Sequence, residues 1–83
     1  MSPPVLKELE GWLQDPNHYW VIRFHRDSNS WNRCPFIFLD KGRSFANGLP
    51  ALLKNRRHIP KFDAIKIWNE LKKTGWKVVD PQW

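Results

Sequence analysis

The sequence predicts an α+β domain: a small antiparallel sheet of about three or four strands, in the order β-β-β-α-β, with one C-terminal helix packed on a face. Three observations predict it. Residues 19–25 are rich in aromatic and β-branched side chains, and period two puts Trp20, Ile22 and Phe24 on one side of an extended chain. Beyond Lys61 the apolar spacing becomes helical, through Ala64, Trp68 and Leu71. Clusters of Asp, Asn, Gly and Pro punctuate the chain between these segments.

The elements follow in order. Residues 1–10 contain Pro3 and Pro4, show no periodicity, and read as a mobile tail. Gly11-Trp12-Leu13-Gln14 reads as a short strand. Asp15-Pro16-Asn17-His18 follows as a turn, in which Pro pre-sets the backbone and Asn tolerates unusual angles. The strand at 19–25 leads into a polar loop from Arg26 to Cys34, with Trp31 inside it. Phe36-Ile37-Phe38-Leu39 is a strand whose unbroken apolar character predicts cover on both faces. Asp40-Lys41-Gly42-Arg43 and Asn47-Gly48-Leu49-Pro50 read as turns, and Ala51 to Lys54 as a short helical turn. The helix runs from Lys61, with Pro60 and Asp63 suited to its first turn, Lys72 and Lys73 to its last, and Gly75 to its C′ position. Trp76-Lys77-Val78-Val79 closes the fold as a strand, stopped by Pro81. A single domain over 11–80 results, with 81–83 as a C-terminal tail.

Size constrains what this domain can do. The chain has 83 residues, and its apolar share of 41% includes six Trp, five Phe and one Tyr. A domain this short buries only about 60% of its unfolded surface, so large aromatic side chains must supply much of the stability. Most tryptophans are therefore expected to be structural. No apolar run approaches the ~20 residues of a spanning helix, which excludes a helical membrane anchor in this sequence. No secretory leader pattern is recognisable and there is one cysteine, so the expectation is a cytoplasmic chain without a disulfide framework.

Charge is segregated along the chain. Residues 1–40 carry four basic and five acidic side chains, whereas residues 41–83 carry ten basic and three acidic. Lys41, Arg43, Lys54, Arg56, Arg57 and Lys61 fall in one stretch without an acid, and His58 adds a group that can protonate. Read as an exposed loop, residues 41–61 form a candidate nucleic-acid contact. Arg56 and Arg57 would grip phosphates in a forked manner, and Lys54 and Lys61 would act as point charges. Trp31 is the first candidate for stacking on an unpaired base and Trp83 the second. The competing expectation is a protein–protein adaptor, with exposed tryptophans as its hot spot and the basic surface steering an acidic partner. A basic surface can also serve solubility alone.

Catalysis and cofactors are not expected. His18, His25 and His58 are scattered, and His25 with Cys34 would supply only two of the four ligands a structural zinc needs. Ser28, Ser30 and Ser44 lack a nucleophile-elbow context, and no Gly-Lys-Ser/Thr phosphate loop occurs.

Several segments together resemble a known family. They are Gly11-Trp12-Leu13 before a tryptophan-bearing strand, Asn47-Gly48 with Pro50-Ala51-Leu52-Leu53-Lys54 and Arg56-Arg57, and the closing helix ending at Gly75-Trp76. Over roughly residues 11–79 the chain resembles a cyanobacterial domain-of-unknown-function family, number 1651. Ile59-Pro60-Lys61 departs from the resemblance in lacking a capping Ser, Thr or Asp. The resemblance implies a cytoplasmic protein of a cyanobacterium or of a virus of such cells. It carries over no activity and no site residues.

Overall fold

Among the described residues every strand neighbour is antiparallel, in a five-stranded sheet of order β4-β3-β2-β1-β5. The strands are β1 (Gly11–Gln14), β2 (Val21–Arg26), β3 (Phe36–Arg43), β4 (Leu52–Pro60) and β5 (Lys77–Val79), with helix α1 (Lys61–Lys73) between the last two. The architecture is that of a computed structural model, which describes residues 10–30, 35–43 and 52–82. The predicted α+β class holds, with one strand more than expected.

The hairpin from β1 to β2 turns on Asp15. Its N–H donates to the Trp20 carbonyl at 3.0 Å, and its buried carboxylate Oδ1 accepts the N–H groups of Tyr19 and Trp20 at 2.7 and 3.1 Å. The left-handed residue of this turn is His18, with φ 58°, and not Asn17 as the turn chemistry suggested. The connection out of β2 is built by Asp27 and Ser30. Asp27 Oδ1 accepts the Asn29 N–H at 3.0 Å, and Ser30 Oγ accepts the Phe36 N–H at 3.0 Å.

One face of the sheet is covered by α1. Ala64 and Trp68 pack on Leu13, Phe24, Ile37 and Leu39, with Ile22, Ile59, Ile65, Ile67, Leu71 and Trp76 around them. The Trp68 indole meets Phe24 edge-on, with ring centroids 5.0 Å apart. Gly11 lets the indole in, because a Cβ there would sit 3.0 Å from Trp68 Cη2.

The helix ends as its sequence predicts. Gly75 takes φ 102°, the Trp76 N–H donates to the Leu71 carbonyl at 3.0 Å, and the Gly75 N–H donates to the Lys72 carbonyl at 3.3 Å. This is the Schellman arrangement that left-handed glycine permits. Its start has no side-chain cap: Pro60 is the N-cap residue, and the Lys61 N–H donates instead to the Pro35 carbonyl at 2.9 Å.

Three expectations fail. Asp40 to Arg43 is the second half of β3, not a turn. Lys54 belongs to β4, so no helical turn runs from Ala51 to Lys54. Among the described residues the Phe36–Leu39 run is fully covered on one face only. Ile37 and Leu39 are buried beneath α1, while Phe36 and Phe38 are half-buried on the side away from it. The Arg26–Cys34 loop, the Asn47–Pro50 turn and the tail fall wholly or partly outside the described residues.

Candidate functional site: the basic edge strand

The basic segment is largely a strand, not a loop, and β4 is an outer strand of the sheet. Directly opposed residues of an antiparallel pair share a face, so the register decides where each cation goes. Leu39 opposes Arg57 and Lys41 opposes Asn55, which puts Lys41, Asn55 and Arg57 on the helix side. Phe38 opposes His58 and Asp40 opposes Arg56, which puts Arg56 and His58 on the open side. The register slips by one residue between Lys41 and Gly42, leaving Lys54 as the extra residue of a β-bulge.

On the open side the cations meet carboxylates from the first half of the chain. Arg56 Nε donates to Asp40 Oδ1 at 2.6 Å and Nη2 donates to Oδ2 at 2.9 Å. His25 Nε2 lies 2.8 Å from the same Oδ2. Burial alone would push the Asp40 carboxyl up; hydrogen bonds and charge from Arg56 and His25 outweigh it and hold the group below its ordinary range. His58 Nε2 lies 3.0 Å from Asp27 Oδ2.

Aromatic rings fill the space between these pairs. Phe36, His58, Phe38 and His25 form a row across three strands, with successive centroids 4.7, 4.6 and 5.3 Å apart. The Arg56 guanidinium lies 4.6 Å from the Phe38 centroid. Each ring faces at least one neighbour, so part of the aromatic surface a base would need is already occupied.

The remaining candidates scatter. Lys41 Nζ sits 4.7 Å over the Trp20 ring. Arg43 lies 3.9 Å over Tyr19 and donates to its Oη at 3.0 Å. Lys61 opens the helix, half-buried. Lys54 and Arg57 are exposed, and no carboxylate pairs with either among the described residues. Trp31 lies outside the described residues. The one-sided cationic surface read from residues 41–61 is thus divided between two faces and partly neutralised.

Of the described tryptophans, Trp12 and Trp68 are buried and Trp20 and Trp76 are half-buried, while Trp31 and Trp83 lie outside the described residues. Sequence reasoning missed Asp27, Asp40, His25 and Phe38 as members of this site. The alternation of Phe36, Phe38 and Asp40 against Ile37, Leu39 and Lys41 was the available signal. Among the described residues no three His, Cys, Asp or Glu side chains converge on a metal position, and no helix is long and apolar enough to cross a membrane.

No curated protein and no solved structure matches this chain. A family pattern does match, over residues 10–83, covering every strand and the helix described above. The chain belongs to the family described as "Protein of unknown function (DUF1651)".

Proposed function

We propose that this chain is a non-enzymatic adaptor that binds an acidic protein segment as an added strand along β4, in the cytoplasm of a cyanobacterial cell. One observation carries the reading: β4 is a nine-residue outer strand whose residues Lys54 to His58 are all exposed. An outer strand offers backbone N–H and C=O groups to an incoming chain, and its side chains select the partner. Positive charge on such a strand guards against pairing with like copies. Two copies of β4 brought together would face Lys54, Arg56 and Arg57 with one another, so the charge opposes self-association. The same charge favours a strand bearing Glu or Asp at alternate positions.

Polynucleotide binding is the second reading. Lys54 and Arg57, exposed and outside the ion pairs described, favour it. It places its contacts on phosphates with weak sequence preference.

The test is a titration of the full chain with an extended peptide of alternating Glu and Thr, its Lys counterpart, and oligo-dT. The expected result is binding of the acidic peptide alone, with slowed amide exchange at alternate positions between Lys54 and His58. Asn55→Pro and Arg56→Pro should weaken the complex unequally, because only one of two successive amides faces outward. Binding of oligo-dT that falls steeply with salt, without peptide binding, would replace this reading by the polynucleotide one.

A further inference from the structure

We propose that the corner of the sheet left uncovered by α1 binds a small amphiphilic carboxylate, with an apolar body and an anionic head. The helix leaves β4 at Pro60 and ends over the other side of the sheet, with Trp68 against Gly11 and Phe24. That diagonal leaves a groove of about 260 Å³ lined by Ile22, Leu39, Lys41, Asn55, Arg57, Ile67 and Leu71. Its floor is Ile22 and Leu39, and its wall is Ile67 and Leu71 from the helix.

The polar residues of the groove lie together on its sheet side. Lys41 and Asn55 are opposed across β3 and β4, and Arg57 is the diagonal neighbour of Lys41. Diagonal neighbours of this kind stand roughly 7–8 Å apart, close enough for both side chains to reach one anion. An ammonium, a guanidinium and an amide supply donors only from the two charged groups and a donor–acceptor pair from the third, a set that suits a carboxylate. No carboxylate lines the groove among the described residues. The volume lies below the roughly 300–1,000 Å³ of sites for drug-sized molecules, so the ligand is small. A neutral apolar molecule pairs with neither cation and leaves the Lys41 ammonium over the Trp20 ring, and a bare inorganic anion leaves the isoleucine and leucine surface wet.

This inference shares Asn55 and Arg57 with the strand-addition surface but does not rest on that reading, and its test is read at Lys41 on β3 and at the helix wall. The experiment is a methyl and amide NMR titration of the full chain with octanoate, octanol and inorganic phosphate. Octanoate should shift the methyls of Ile22, Leu39, Ile67 and Leu71, and octanol should bind at least about tenfold more weakly. Lys41→Gln should lower octanoate affinity by about tenfold and leave octanol unchanged. Phosphate should leave those methyls unmoved. Equal binding of octanoate and octanol, octanoate shifts confined to other residues, or an unchanged octanoate affinity in Lys41→Gln would overturn the proposal. The comparison of octanoate with octanol on the unaltered chain keeps it falsifiable whatever the variant does.

Discussion

Arg56 closes a forked ion pair on Asp40 across the β3–β4 register, with its two donors 2.6 and 2.9 Å from the two carboxylate oxygens. The relationship is asymmetric. Asp40 is 3% exposed, whereas the Arg56 side chain is 55% exposed. The outer strand is therefore tied to the sheet by an anion largely covered by its neighbours and a cation that reaches water. The Arg56 guanidinium titrates above its ordinary range because the Asp40 carboxylate holds its proton.

Acid should loosen the fold through Asp40. Its folded pKa lies below its unfolded one, so its contribution is complete above the ordinary carboxylate range. That contribution is lost as pH falls through the depressed folded value. Melting temperature measured from neutral to strongly acid pH should show the loss, and Asp40→Asn should flatten that limb. A variant curve parallel to the unaltered one would assign the acid sensitivity elsewhere.

Arg56→Met keeps an aliphatic stem against Phe38 but leaves Asp40 buried with His25 as its remaining side-chain partner. The expected loss is about 1–3 kcal/mol in denaturant unfolding. Arg56→Lys should restore only part of it, because an ammonium cannot make both prongs.

Trp68→Ala should cost about 3–5 kcal/mol, by the cavity it leaves beneath α1 and the lost contact with Phe24. A melting temperature that barely moves would contradict the packing described. Gly11→Ala should destabilise through the same indole, which its Cβ would approach at 3.0 Å.

Gly75→Ala tests the end of the helix. The position has φ 102°, and an added Cβ would also lie 3.0 Å from Pro16 Cγ. Left-handed backbone costs a residue with a Cβ roughly 1–2 kcal/mol. Thermal unfolding should show at least that loss, with reduced helical signal near 222 nm only if the last turn frays.

The helix and the inner strands were legible because their side chains answer to a buried face. Trp68 and Ala64 at helical spacing, and Ile22 and Phe24 at period two, are buried or half-buried where the pattern predicts. Strand β4 was not legible. Lys54 to His58 are all exposed, so no buried face selects an alternation of apolar and polar residues along that stretch, and none is present. Asp40-Lys41-Gly42-Arg43 has turn composition, yet the β4 register and the Arg56 pair hold it extended.

The sequence by itself determined the α+β class, the position of the helix and its glycine stop, and an excess of positive charge in the second half. Only the tertiary structure decided which face each charge occupies and which carboxylate it meets. The reason is geometric: strand register sends neighbouring residues to opposite faces and joins Asp40 to Arg56 and Asp27 to His58 across many intervening residues, and no local pattern in the chain encodes that pairing.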